Sequence, residues 1–142
     1  MNETARDATA GTEYVSAPYL LDAAAAEAYE GAIEEPARRR RSNIHNDPEA
    51  ASRAGYAAPV AAGEHTLAVL ANFMVDCFGM GFLRGGRLAA AFIKPVLYGE
   101  RLTAHVRAGR IAETSRELEV WVEDSRGDRV LIGTAQVARH PE

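Results

Sequence analysis

The hexapeptide Ser42-Asn43-Ile44-His45-Asn46-Asp47 gathers short hydrogen-bonding side chains around one histidine. An imidazole with an unperturbed pKa of ~6.5 can both take and give a proton near neutrality. Asp47-Pro48 then reads as an N-cap followed by proline at the first helical position, which sets His45 just before a helix N-terminus. A second helix is expected to start beside Gly63, and the free N–H groups and dipole of such a start stabilise a developing oxyanion such as an enolate. A base beside an oxyanion site is what proton abstraction next to a carbonyl requires. The same loop also reads as a capping network, and composition alone leaves the two open.

The neighbours of this segment divide similarly. Glu64 follows Gly63 and is a second candidate acid or base. His65 either points at the same pocket or bonds a backbone carbonyl at the helix end. Arg38 to Arg41 form a solvated run or hold an anionic group of a substrate by bidentate contacts. Asn72 and Asp76, four apart on an otherwise apolar helix, share a face and fit an interface wall or a pocket floor better than a catalytic pair. His105 alternates with apolar neighbours and is expected to face solvent, His140 lies in the tail, and Trp121 reads as a packing residue. No Cys/His/Asp cluster has metal-ligand spacing and no strand-turn-helix carries a glycine-rich cradle, so neither a metal nor a cofactor is expected.

The elements that must position these residues follow from periodicity. Residues 1–12 hold few large apolar side chains and are expected to form a flexible tail ahead of one domain over 13–142. Ala25, Tyr29 and Ile33 recur every four residues in an Ala-rich stretch that predicts a helix over Asp22–Glu34, ended by Pro36. Glu64–Phe78 is apolar on nearly all sides, the pattern of a buried helix. From Arg87 the period falls to two, predicting strands over Arg87–Leu97, Arg101–Ile111, Arg116–Asp124 and Arg129–Arg139, with short connections that make them antiparallel neighbours. The fold class is therefore α+β, a single domain in which a twisted antiparallel sheet wraps a long buried helix. Its open sheet edges favour a homodimer.

With 142 residues and 47% hydrophobic side chains, the chain can bury one core. A net charge of −4 gives no field that would attract nucleic acid. The lone Cys77 suits a reducing compartment, and no run reaches the ~18 apolar residues of a membrane span, so a cytoplasmic protein with neither nucleic-acid nor membrane partner is expected.

Two longer stretches add a resemblance. Asn43 to Ala51, Gly55-Tyr56 and Pro59-Val60-Ala61-Ala62-Gly63, followed by Ala90 to Leu102 with Phe92, Pro95-Val96 and Gly99-Glu100, resemble in order the MaoC-like dehydratase and (R)-specific enoyl-CoA hydratase family. The resemblance runs roughly over residues 18–139. It implies a hot-dog fold, a small-molecule or acyl-thioester substrate carried by CoA or a carrier protein, and lyase chemistry. In the family signature Asp-x-Asn-Pro-aliphatic-His, Asp and His together activate water or a substrate proton. A backbone N–H near the glycine holds the thioester oxygen. Here His45, Ile44 and Gly63 match, whereas Arg40 stands for the Asp, Ser42 for the Asn and Asn43 for the Pro.

A guanidinium stays protonated and cannot replace a carboxylate base. Three arrangements remain open: Glu34 or Glu35 reaches back into the vacant place, His45 works alone with Asn43 or Asp47 orienting its ring, or Glu64 supplies the second acid or base. The implied catalytic set is His45, Asn43, Glu64 and Glu35, with Gly63, Arg40, Arg41 and His65 binding substrate. Hydration or dehydration beside an acyl carbonyl is the leading activity. Cyclase, isomerase or thioesterase chemistry on the same fold, or a non-catalytic acyl-binding subunit, are the alternatives.

Overall fold

The computed structural model describes residue 5, residues 7–33 and residues 41–139. Helix α1 spans Ala23–Ile33 and starts where Asp22 Oδ1 accepts the Ala25 N–H at 2.8 Å. Helix α2, Pro48–Arg53, starts on Asp47, whose side chain accepts the Glu49 N–H, with proline in the first turn as expected. The central helix α3 runs over Gly63–Phe78 and ends at Gly79, whose φ of 51° is left-handed. One further turn, α4, covers Met80–Leu83.

Among the described residues one antiparallel sheet has six strands: β1 Glu13–Val15, β2 Tyr19–Leu20, β3 Arg87–Phe92, β4 Arg101–Ile111, β5 Ser115–Glu123 and β6 Arg129–Ala138. Their order is β1-β4-β5-β6-β3, with β2 also pairing β4. Register puts both residues of each of these pairs on the core face: Ala104 opposite Val122, Val106 opposite Val120, Ala108 opposite Leu118, and Leu118 opposite Ala135. These side chains bury Leu70, Met74 and Phe78 of α3 in a single apolar cluster. The architecture is the expected α+β one, a central helix in the hollow of an antiparallel sheet.

Several local expectations change. The first long strand stops at Phe92, because the chain turns at Lys94-Pro95 and residues 96–98 cross to lie beside residues 59–61: Ala61 N donates to Val96 O at 2.8 Å and Val60 bridges Leu97. That crossing brings the two motif segments together. Asn72 and Asp76 are exposed, so α3 has one open face and is not apolar all round. His105 points to the outer face as alternation requires, yet it is only 9% exposed. Trp121 stacks on it at 4.9 Å, and Glu13 and Glu123 flank its two ring nitrogens at 3.2 and 3.3 Å. Of the expected tail, Gly11 N donates to Ala108 O, Thr12 O accepts from Ala108 N, and Ala5 is buried in the core.

Candidate active site

The loop 41–47 is held by its own short side chains. Asn43 Oδ1 accepts the His45 backbone N–H at 2.8 Å, Asn46 Oδ1 accepts the Asn43 N–H at 3.0 Å, and Ser42 Oγ donates to Asp47. The side-chain amides of Asn43 and Asn46 both donate to the Arg41 carbonyl, at 3.2 and 3.0 Å. Ser42 and the Glu49 N–H, in that order, hold the Asp47 carboxyl below the usual carboxylate range, with burial opposing them. This is the capping network expected from composition, and it carries His45 on it.

The His45 ring is half-buried, and its Nδ1 lies 2.7 Å from the Val60 carbonyl oxygen. A carbonyl only accepts, so Nδ1 carries the hydrogen and the lone pair of the neutral ring sits on Nε2. Val60 N in turn donates to Ile44 O at 2.9 Å, which closes a two-bond clamp between the loop and the segment leading to α3. Among the described residues no carboxylate lies within ion-pair distance of the His45 ring. Asn43 bonds the backbone of His45 and Asp47 caps α2, so neither orients the imidazole; the Val60 carbonyl does.

Gly63 opens α3 two residues after Ala61. The N–H groups of Gly63 and Glu64 have no acceptor among the described residues, as the geometry of a helix start requires. The Phe92 ring packs on Gly63 so closely that a Cβ there would meet its Cζ at 3.2 Å. Ala61, Gly63, Thr66, Phe92, Pro95 and Val130 line an open depression of about 320 Å³. Glu64 is exposed in the first turn of α3.

His65 does not join this face. Successive helix residues are turned by 100°, so His65 lies about 200° from Gly63 around the axis while Thr66 returns to the glycine's side. His65 is buried, 3.2 Å from Tyr19 Oη through Nε2 and stacked on Tyr29. His65 thus lies on a different face of α3 from Gly63. Arg41 is exposed and supports the loop through its carbonyl. Glu34, Glu35, Arg38, Arg39, Arg40 and His140 lie outside the described residues.

Sequence reasoning missed Val60, which acts through a carbonyl and carries no side-chain signal, and Phe92 as the cover of Gly63. It also missed Lys94, bonded to Asp124 at 3.0 Å and Asp128 at 2.7 Å on the rim of the same depression. Among the described residues no group of His, Cys, Asp and Glu could hold a metal ion, and no helix is long and apolar enough to cross a membrane.

Residues 41–126 match the MaoC like domain. Similar folds occur in an (R)-hydratase from A. caviae involved in PHA biosynthesis, with 20% identity over 92% of this chain and 96% of that one and a TM-score of 0.69. The R-hydratase PhaJ1 from Pseudomonas aeruginosa shares 16% identity over 95% and 83% of the two chains, with a TM-score of 0.76. The MaoC-like dehydratase from Rhodospirillum rubrum shares 22% over 96% and 95%, with a TM-score of 0.72. No curated protein matches the chain in sequence.

Proposed function

The chain belongs to the MaoC-like domain family, and from that premise we propose that it is a hydro-lyase, adding or removing water across a carbon–carbon double bond beside the carbonyl of an acyl thioester. The observation that carries the reading is the 2.7 Å bond from His45 Nδ1 to the Val60 carbonyl. It selects the tautomer that leaves the lone pair on Nε2, so the neutral ring can accept a proton there from water or from the carbon next to the carbonyl. In the hydration direction His45 Nε2 removes a proton from water as the oxygen attacks the β-carbon. The thioester oxygen gains charge and is met by the unused N–H groups at the start of α3, beside Gly63. The α-carbon is then protonated to complete the addition. Glu64, exposed in the same first turn, is our candidate for that proton in place of the family carboxylate that Arg40 replaces. The motif resemblance to (R)-specific enoyl-CoA hydratases makes an acyl-CoA the carrier form to try first.

A homodimer belongs to the same proposal. Strand β3 is the free edge of the sheet beyond β6, and Phe92 and Ile93 on or just after it are each 53% exposed. Phe92 also covers Gly63, so a copy pairing along β3 would close the open depression beside the oxyanion donors.

The test is hydration of a short-chain trans-2-enoyl-CoA, followed by loss of enoyl absorbance and by a gain of one water in the mass of the product. His45→Ala is expected to keep the fold and lose at least a hundredfold in kcat, within the range for a general acid/base. An unchanged rate in that variant overturns the assignment of His45. The alternative of a non-catalytic acyl-binding subunit draws on the lack of a described carboxylate beside His45. Tight acyl-CoA binding with no mass change for any enoyl or hydroxyacyl thioester would favour it over turnover.

A further inference from the structure

Helices α1 and α3 meet through the Tyr29–His65 stack and leave a gap beside it. Ala25 and Ala28 of α1 meet Ala68 of α3 across a pocket of about 450 Å³, whose third side is the link between β1 and β2. That volume lies in the range of small-molecule sites, roughly 300–1,000 Å³. The pocket shares no lining residue with the depression beside Gly63, and the rotation of His65 away from Gly63 puts the two on different faces of α3.

Its polar lining is unusual. His65 is 3% exposed, its Nε2 lies 3.2 Å from Tyr19 Oη, and its ring stacks on Tyr29 at 4.4 Å and 5°, while Nδ1 has no hydrogen-bond partner among the described residues. Burial lowers the His65 pKa, so the ring is neutral at pH 7 and carries one N–H and one lone pair. If Tyr19 donated to Nε2, the orphan at Nδ1 would be a buried N–H, which structures avoid more strictly than a buried unmet acceptor. The favoured tautomer therefore donates from Nε2 to Tyr19 and frees the phenolic hydrogen for another acceptor. Asp76 and Asn72 stand at the same pocket, Phe73 adds an aromatic wall, and neither Lys nor Arg is among the described lining residues. Glu64 adds negative potential at Tyr29. Among the described residues an anion such as the phosphates of CoA finds no counter-charge here.

We infer that the pocket between α1 and α3 is a second ligand site, separate from the His45 and Gly63 centre. It takes an uncharged, flat molecule of one or two rings whose carbonyl or hydroxyl oxygen accepts a hydrogen bond from Tyr19. The small side chains of α1 provide the width, Phe73 and the His65–Tyr29 stack provide the aromatic contact, and the phenol supplies the directional bond.

The full chain can be titrated with the bicyclic ketone 1-tetralone while amide and imidazole NMR signals are recorded. Saturable shifts are expected at Ala28, His65 and Ala68, with signals around His45 and Gly63 unmoved. Tyr19→Phe should weaken binding about three- to tenfold, the value of one hydrogen bond. Ala68→Phe should fill the pocket and abolish binding. The anion 2-naphthoate, of similar ring size, should bind at least tenfold more weakly than the ketone. No saturable shift up to the solubility of the ketone, shifts confined to the Gly63 side, or full affinity retained in Tyr19→Phe would each overturn the assignment. Equal binding of 2-naphthoate would overturn the ligand class. If Ala68→Phe does not give a folded spectrum, Tyr19→Phe at its part-exposed position decides alone.

Discussion

Replacing Gly63 by alanine separates a chemical role for this glycine from a packing role. Gly63 is not among the glycines with positive φ, so its backbone does not need glycine. A methyl group there would meet Phe92 Cζ, Cε1 and Cε2 at 3.2, 3.3 and 3.4 Å. The obstacle is the far end of a ring that is 53% exposed, and a ring so placed can rotate aside for about 0.5–1.5 kcal/mol. Alanine in a helix is favoured over glycine by up to about 1 kcal/mol, and less at the first position. The two terms nearly cancel, so Gly63→Ala should change stability by no more than about 1 kcal/mol, or about 4 °C in Tm for a domain of this size. Activity should respond differently. A Phe92 ring pushed aside by the methyl reshapes the depression beside the α3 N–H groups where the thioester oxygen is proposed to sit, and a misplacement of about 1 Å costs on the order of a hundredfold in rate. Thermal melting by circular dichroism and enoyl-CoA hydration kinetics on one preparation measure both. A Tm loss above about 8 °C would mean that the glycine serves packing against Phe92, and an undiminished kcat would remove the helix start from the mechanism.

Lys94→Met should remove the ammonium partner of the Asp124 carboxylate, whose side chain is 3% exposed, leave it only the backbone N–H groups and the 3.6 Å contact of Arg126, and lower the midpoint of chemical denaturation; an unchanged midpoint would contradict the pairing. Asp124 itself is raised by burial but lowered further by Lys94 and by the backbone N–H groups of Asp128 and Arg126, and its net position is below the ordinary carboxylate value. A depressed carboxylate contributes stability that is complete above its unfolded pKa and lost as pH falls through its folded one, so the wild-type advantage over Asp124→Asn should shrink progressively in acid; a pH-independent difference would refute it. Glu13, held low first by His105 and then, against burial, by Arg107, should behave with the same sign, and Glu13→Gln should flatten part of the acid limb of the denaturation curve. Burial, with Asp76 adding to it, pushes the Cys77 thiol up to about 11, so a thiol-reactive dye at pH 8 should label the folded protein only at the rate of unfolding.

The parts of the fold that were legible are those written in periodicity. Four runs of period two became β3 to β6 and the long apolar run became α3, because burial of one face repeats a visible pattern. Strands β1 and β2, three and two residues long, are too short to show any period, and only the edge of β4 makes them strands. His105 was legible in direction but not in cover: the alternation that aims it outward does not reveal that Trp121 from the next strand stacks on it. Long-range partners such as Val60 for His45, Phe92 for Gly63 and Tyr19 for His65 depend on the register of distant segments, and a carbonyl partner leaves no trace in side-chain type.

The departures from the family signature become intelligible at the level of single hydrogen bonds. A proline before Ile44 would fix φ and donate no N–H; Asn43 instead donates its N–H to Asn46 Oδ1 and accepts the His45 N–H on its own Oδ1. Ser42, in the place of the family asparagine, bonds the Asp47 cap of α2. The loop thus replaces rigidity built into a ring by rigidity built from Asx bonds, and the element that aims the imidazole, the Val60 carbonyl, lies outside the loop, on the stretch that leads to α3, and is untouched by these substitutions. Loss of the Asn43 side chain should then loosen the His45 backbone without removing the Nδ1 bond. Asn43→Ala is accordingly expected to lower kcat about tenfold while leaving the His45 tautomer, read from imidazole ¹⁵N shifts, unchanged.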